Sequence, residues 1–564
     1  MNEAGYQVAI LAGGQGTRLR ARTGDLPKPM VPVAGKPLLE YQIELCRRHG
    51  FHDILLLLHY KHEVVSAHFG DGAAFGVRIG YEVETSPRGT AGALRDALPR
   101  LAPRFLLLYG DTFVDVDLRR IWHAHAQHAA DATLLLHPND HPQDSDLVAL
   151  DRSGRVQRVF PYPHPDGACL RNLVNAALYV VERHGLAEFA PAQGRADVAK
   201  DMFPAMLAAG RRLFGHVTPE YIKDAGTPER LDKVEADIES GVVDRLSTRQ
   251  LRSAVFLDRD GTINEEVGHL SDPAQLRLVD GAADAIRRLN RAGRLAVVAT
   301  NQPVLARGDV DEQGLDRIHA QLDTLLGQGG AYLDGLYVCP HHPDRGFPGE
   351  VAALKGPCEC RKPEPGLLDR ACRELLIDRR SSWMVGDTTA DIEAGRRAGV
   401  RTILVGTGHG GRDDKRVLRP DYVVADIAAA VDWVLVGHTR LAHRMQATAL
   451  ACHAGVRTVL LSGGGNATTD SRQAAQVLKE LAEAAGRTAH VVPAHALVGD
   501  TARLLNRQRL ALSIGARHPI DLSVGPEDLL LVHGGTELLQ PPWSTLPPER
   551  VLVVPVDSLS GDHA

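Results

Sequence analysis

Three times along this chain a short apolar run stops at a glycine or aspartate turn and gives way to a helical pattern. The runs are Val8–Ala12 before Gly13-Gly14, Ala254–Leu257 before Asp258, and Thr458–Leu461 before Gly463-Gly464-Gly465. Strand, polar turn and helix, repeated, is the pattern of α/β architecture, in which ligands sit at the carboxyl ends of the strands. The fold class predicted is therefore α/β, as three successive domains over 1–245, 252–437 and 438–564. A length of 564 residues agrees with this, at ~100–200 residues per domain. A polar helix is expected from about Pro228 to Ser240, a linker over Gly241–Arg252, and a helix from about His438 to Ala454 leading into the third turn.

Composition removes several alternatives. With 70 acidic against 64 basic residues, the formal charge of −6 offers no polycation for nucleic acid or a membrane surface. No apolar run approaches the ~20 residues that span a bilayer. Met1–Tyr6 lacks a basic segment and cleavage site, so no secretion signal is expected and the cytoplasm is the expected compartment. Three of the seven cysteines, Cys339, Cys358 and Cys360, lie close together. In a reducing compartment such clustering points to metal before disulfide.

The first turn reads Leu11-Ala12-Gly13-Gly14-Gln15-Gly16-Thr17-Arg18-Leu19. Glycines let backbone N–H groups approach phosphate oxygens, and Arg18 adds a charge-assisted contact. Lys28, framed by Pro27 and Pro29, supplies a second cation. Asp111 follows the apolar strand Leu106–Tyr109, and Asp224 follows another short strand. Two strand-end carboxylates can hold one Mg²⁺ against a triphosphate. A plain tight turn, with Asp111 as a helix cap, is the alternative for any one of these features; their combination disfavours it.

Together these segments resemble the sugar-1-phosphate nucleotidyltransferases over residues 1–240. The matching stretches are L-A-G-G-x-G-T-R-L, L-P-K-P-M, Gly89-Thr90-Ala91-Gly92, Gly110-Asp111, Asn175–Tyr179 and Asp224–Glu229. The resemblance implies that Gly13, Gly14, Arg18 and Lys28 hold the nucleotide phosphates. It places Gly89 and Gly92 on the base and sugar side, Asn175 at the glycosyl unit, and Asp111 and Asp224 on Mg²⁺. The implied reaction is in-line attack of a sugar 1-phosphate on the α-phosphorus, with release of pyrophosphate. One departure stands out. Phe160-Pro161-Tyr162-Pro163-His164-Pro165 occupies the place of the family's Glu-Lys-Pro, so a sugar-phosphate lysine is missing.

The second turn, Asp258-Arg259-Asp260-Gly261-Thr262, puts two aspartates at i and i+2 beyond a strand. One can attack a phosphoryl group while the other carries a proton. A calcium-like or capping turn is the alternative for this pair alone. Downstream come Thr300-Asn301-Gln302 at another strand end, Lys362 after Cys360-Arg361, and Asp387 after Trp383–Gly386, with Asp391 four residues on. This order over 252–437 resembles the haloacid dehalogenase-like phosphatases, in their heptose-bisphosphate and histidinol-phosphate branch. The branch marker is Thr300-Asn301-Gln302 with Ala306-Arg307-Gly308 and Cys360-Arg361-Lys362-Pro363, although Pro303-Val304 replaces the usual Ser-Gly. The resemblance implies Asp258 as nucleophile, Asp260 as acid/base, and Asp258, Asp260 and Asp387 on Mg²⁺. Thr300, Asn301 and Lys362 would bind the phosphoryl group, and Arg307 and Arg361 the sugar and distal phosphate.

Cys339-Pro340-His341 and Cys358-Glu359-Cys360 form a C-x-H…C-x-C set. Three thiolates and one imidazole suit a closed tetrahedral Zn²⁺, which would pin the loop carrying Arg361 and Lys362. His342 is a rival to His341, and ligand spacing favours His341.

The third segment resembles a shortened sugar-isomerase (SIS) domain, an α/β sandwich and the fold of phosphoheptose isomerase. Ala467 stands where that family has a phosphate-binding serine, and His533-Gly534-Gly535-Thr536 lacks the serines of the second loop. Thr468 and Thr469 are possible substitutes, and His490 and His495 are candidate bases. A degenerate packing or homo-oligomerisation module is expected. The whole chain is expected to be a bifunctional enzyme of nucleotide-activated heptose synthesis. Its phosphatase would remove the 7-phosphate of heptose 1,7-bisphosphate, and its transferase would join heptose 1-phosphate to a nucleoside triphosphate, with GTP favoured. A separate heptose kinase is implied, and no nucleic-acid or membrane partner. The alternatives are a mannose- or glucose-1-phosphate nucleotidyltransferase fused to another phosphatase, and a scaffold with degenerate sites.

Overall fold

The computed structural model describes residues 6–436 except 166, 191–193 and 414–419, and beyond them the strands Thr458–Gly463, Thr488–Pro493, Arg509–Leu510, Leu522–Ser523, Leu529–His533 and Val551–Val554. Each of the three strand openings lies in its own sheet, and the described residues form a mixed α/β fold.

The first sheet has nine strands. Gln7–Leu11 lies between Asp53–Leu58 and Arg104–Tyr109, parallel to both, with Val8 opposite Ile54 and Leu106. These strands are near-continuous apolar runs because helices cover both faces of the sheet. Val174–Glu182, carrying Asn175, runs antiparallel to Arg104–Tyr109. A separate two-stranded ribbon pairs Thr112–Asp115 with Tyr221–Asp224 and sets Asp224 opposite Thr112.

The second sheet has six parallel strands, in the order Gly335–Cys339, Leu295–Asn301, Ala254–Leu257, Trp383–Gly386, Arg401–Val405, Tyr422–Val424. From Ala254–Leu257, the first of these strands in the chain, the next two are added on one side and the last three on the other. That is a topological switch point, where crossovers diverge and leave a crevice. Asp258, Thr300 and Asp387 stand at the carboxyl ends of these three neighbouring strands.

Four further strands pair in parallel, in the order Thr488–Pro493, Thr458–Gly463, Leu529–His533, Val551–Val554. The helix at His438–Ala454, the substitutions at Ala467, Thr468 and Thr469, the histidine His495 and the loop Gly534–Thr536 lie outside the described residues.

The expected linker Gly241–Arg252 is not an open tether. Val242–Leu246 is a helical turn with Val242, Val243 and Leu246 buried. Arg252 is 1% exposed and donates to the carbonyls of Leu375 and Leu246. Apolar residues on both sides of this turn belong to one contiguous core, from Leu19, Val31 and Phe113 through Leu246 to Phe256, Leu295 and Leu368. The polar look of Gln250 and Arg252 hid three buried aliphatic side chains just upstream.

Candidate active sites

In the first sheet the glycine turn and Lys28 are joined directly, because the Lys28 N–H donates to the Gly14 carbonyl at 3.2 Å. The buried Lys28 Nζ lies 2.7 Å from Asp111 Oδ2. Ala225 N–H donates to the Asp111 carbonyl at 3.1 Å, which locks Asp224 beside Asp111 across the ribbon. The Arg18 guanidinium lies against Gly226, two residues from Asp224. Gly14, Arg18, Lys28, Asp111 and Asp224 therefore converge. Gly13 packs on His59, whose ring contacts the Glu84 carbonyl, and Glu84 accepts from Arg88 N–H just before Gly89. Gly89 starts the helix Gly89–Ala97, and a Cβ there would lie 2.3 Å from the Ala196 carbonyl oxygen. Gly92 backs onto Arg88 in that helix. Asn175 bends back to the Ala177 N–H, where the strand skips register. Arg230, which no motif singles out, pairs with both Asp224 and Asp144.

In the second sheet Lys362 Nζ bridges Asp258 Oδ1 at 2.7 Å and Asp391 Oδ1 at 2.5 Å, all three groups being buried. Asp258, Asp387 and Asp391 form a carboxylate cluster in which one donor oxygen from each lies within 4.8 Å of the others. Burial first, and then the Asp391 charge, push Asp258 up to about 8 against the opposing pull of Lys362. The same two causes push Asp387 up to about 6. Asp387 Oδ1 is buried without a hydrogen-bond partner among the described residues. Clustered hard oxygens with one orphaned are what a small divalent cation such as Mg²⁺ requires.

Asp391 joins Asp258 and Asp387 in this cluster, and the side chain of Asp260 lies outside it. Asp260 turns its carboxylate to Arg259 Nη2 at 2.9 Å, Asn264 Nδ2 at 2.9 Å and Gln302 Nε2 at 2.8 Å. Burial opposes its ionisation, but Arg259 and these amides outweigh burial and hold its pKa low. Asp391 was legible as an i+4 neighbour of Asp387; Thr388 caps its helix and fixes the carboxylate. Asn301 grips Lys362 from both directions, its Oδ1 accepting from Lys362 N–H and its Nδ2 donating to the Lys362 carbonyl. Both polar ends of the Asn301 amide are thus engaged by the Lys362 backbone. Thr300 is buried beside Gln302. Arg307 stacks its guanidinium 4.2 Å from the Phe347 ring centroid. Arg361 donates to the His341 carbonyl.

The loop after Arg401–Val405 closes over Asp387. His409 N–H donates to Asp387 Oδ2 at 2.7 Å, and Gly411 N–H donates to its carbonyl. Gly261 (φ +76°) and Gly408 (φ +56°) sit so close that a Cβ on either would lie 2.4 or 2.2 Å from Asp387 Oδ2. Gly261→Ala is thus expected to lower phosphatase turnover by about 10²-fold or more, because ångström-scale displacement of a reacting group costs that much. Phosphate release and pyrophosphate release measured on one preparation check it, and only the first should fall.

Cys339, His341, Cys358 and Cys360 meet as a second cluster. Cys339 Sγ is 3.6 Å from Cys358 Sγ, 3.1 Å from Cys360 Sγ and 3.7 Å from His341 Nδ1, and Cys360 Sγ is 3.3 Å from His341 Nδ1. Ligands around tetrahedral zinc, at about 2.0–2.3 Å from the metal, stand roughly 3.5–3.8 Å apart. His342 is not in this group and accepts instead from Asp344 N–H.

The Nucleotidyl transferase family model matches residues 7–241, and the HAD-hydrolase-like model matches 359–430. The D-glycero-beta-D-manno-heptose-1,7-bisphosphate 7-phosphatase of Yersinia pestis is 42% identical over 183 residues, 32% of this chain and 89% of the relative. The chain belongs to that phosphatase family. It is an enzyme carrying both a nucleotidyltransferase domain and a phosphomonoesterase domain. Two solved structures are similar. HddC from Yersinia pseudotuberculosis complexed with GMP-PN is 25% identical with a TM-score of 0.36, covering 41% of this chain and 99% of that one. A D,D-heptose 1,7-bisphosphate phosphatase from B. bronchiseptica complexed with magnesium and phosphate is 33% identical with a TM-score of 0.30, covering 33% and 98%. Among the described residues no helix is long and apolar enough to cross a membrane.

Proposed function

We propose that this enzyme removes the 7-phosphate of a heptose 1,7-bisphosphate and transfers a nucleotidyl group, preferably from GTP, to the remaining heptose 1-phosphate. The observation that carries the reading is one chain similar to the heptose-1,7-bisphosphate 7-phosphatases in one part and to the Nucleotidyl transferase family in another. The product of the first reaction has the chemistry of an acceptor for the second.

In the phosphatase, Asp258 attacks phosphorus and the P–O bond to the sugar breaks. Asp260 gives the leaving hydroxyl its proton, then takes one from the water that releases phosphate. Its three donors favour the ionised form, which suits the second half; the charge of bound phosphate raises its proton affinity for the first. Lys362 and Thr300 hold the phosphoryl oxygens, and Arg307 and Arg361 the remainder of the substrate. In the transferase, Gly13, Gly14, Arg18 and Lys28 align the triphosphate, Gly89, Gly92 and Asn175 frame base and sugar, and positioning supplies most of the rate. Asp258, Asp387 and Asp391 in one site and Asp111 and Asp224 in the other would hold magnesium, which would supply charge neutralisation. A kinase acting earlier provides the bisphosphate. Residues 438–564, read as a degenerate SIS-like domain, serve assembly, and the enzyme works in the cytoplasm.

The test is a panel of four nucleoside triphosphates against heptose 1-phosphate and hexose 1-phosphates, scored by pyrophosphate release, alongside phosphate release from heptose 1,7-bisphosphate. Preference for a hexose 1-phosphate would sink the heptose assignment of the transferase.

A zinc ion at Cys339, His341, Cys358 and Cys360 fits the same reading. Metal analysis is expected to find about one tightly held zinc per chain, as a closed four-ligand site requires. Cys358→Ser should weaken phosphatase turnover through the adjoining Arg361-Lys362 segment. A fully active, zinc-free preparation would refute the ion's role.

A further inference from the structure

The loop leading into the strand of Asn175 is anchored to the other half of the protein. Arg171 Nε donates to Asp323 Oδ2 at 2.8 Å and its Nη1 to Asp316 Oδ1 at 3.0 Å. Asn172 N–H adds a third bond, to Asp323 Oδ2 at 3.1 Å. Both aspartates belong to the helix Glu312–Gln328 of the phosphatase half. One turn back from Asp323 on that helix is His319, 4% exposed. Its Nε2 lies 3.3 Å from Nη1 of Arg259. Arg259 is 0% exposed and spends its remaining donors on Asp260 and on Gln302 Oε1 at 2.9 Å.

The charges along this line are consistent. Burial, Arg259 and Arg171 all push His319 towards its neutral form. A neutral imidazole with a bare Nε2 accepts from Arg259, whereas a protonated ring would repel it. Arg259 therefore has a fixed partner behind it, and its planar fork is aimed at Asp260. A buried guanidinium needs such partners, since burying one unsatisfied is strongly unfavourable. The position of His319 depends on how the helix sits. Arg171 clamps the helix at both Asp316 and Asp323, on either side of His319 in sequence, and Asn172, Cys169 and Arg152 add contacts at Asp323, Gln321 and Glu312.

We propose that Arg171, carried by the transferase half, is a positioning residue for the phosphatase: it fixes the helix Glu312–Gln328 so that His319 supports Arg259, and Arg259 aims the carboxylate of Asp260. This rests on the reading of Asp260 as the proton carrier.

The full chain with Arg171→Ala should lose phosphatase kcat by about five- to tenfold with KM within about twofold, the size of effect expected when a coupled support is removed. Arg171→Lys keeps the charge without the fork and should recover an intermediate kcat. His319→Ala should give a similar loss, and the double variant should be no worse than His319→Ala alone. An unchanged kcat in Arg171→Ala overturns the proposal. So does a loss additive with His319→Ala, or a loss that vanishes once assays are run well below a lowered melting temperature. Asp260→Asn serves as the control. If it is inactive while Arg171→Ala is normal, only the coupling fails; if it turns over normally, the reading of Asp260 falls and the coupling with it.

Discussion

With Asp258 as the proposed nucleophile, Asp258→Asn should abolish phosphate release, by on the order of 10³-fold or more, because a neutral amide oxygen does not attack phosphorus as a carboxylate does. Pyrophosphate release from the same preparation should stay near the parent rate. The substitution keeps the shape of the side chain and lies in the second sheet, away from the glycine turn. Misfolding can be told apart by sign. Asp258 is pushed up to about 8, chiefly by burial and by Asp391, so near neutral pH without divalent metal its charge opposes folding. Removing that charge should leave the melting temperature in chelating buffer equal or higher. Equal loss of both activities with a lowered melting temperature would mean the variant does not fold.

Asp224→Ala should depress nucleotidyl transfer by about 10²–10³-fold, the usual effect of deleting one electrostatic stabiliser of a reacting phosphate. The backbone register that sets Asp224 beside Asp111 does not depend on the carboxylate, so the ribbon should survive. Arg230 keeps Asp144 as a partner, so no isolated cation is left behind. Phosphate release is the internal control and should be unaffected. Transfer at the parent rate would exclude Asp224 from the metal site.

Much of this was legible because the chemistry sits at strand ends. Asp111, Asp258, Thr300 and Asp387 each follow an apolar run, and parallel pairing of those runs brings their ends together. The zinc-type cluster was legible for a different reason: cysteine and histidine two residues apart are close in almost any backbone conformation. What the sequence hid were the residues that aim others. Arg259 looked like a spacer between two aspartates, and only the fold puts His319 behind it. Asn301 has the look of a ligand-binding amide, but the return of the chain at Lys362 claims both of its ends. The partners of the Asp260 carboxylate, Arg259, Asn264 and Gln302, were equally hidden. Local spacing carries no information about such long-range pairings. The same limit explains the linker, because Val242, Val243 and Leu246 are buried by surfaces remote in sequence.

That buried turn bears on how such a molecule could have been assembled and how it could be taken apart. Two enzymes joined by a tether remain interchangeable, and either can be replaced by a cousin. Here the aliphatic side chains between the first and second sheets have become common property. A chain cut near position 247 would present Leu246 on one fragment and Phe256 and Leu295 on the other to water, along with an unpartnered Arg171 and Asp323. Splitting the gene would thus require a new exterior on each product before either was useful. Once that interior had formed, inheritance of the two activities became a single event.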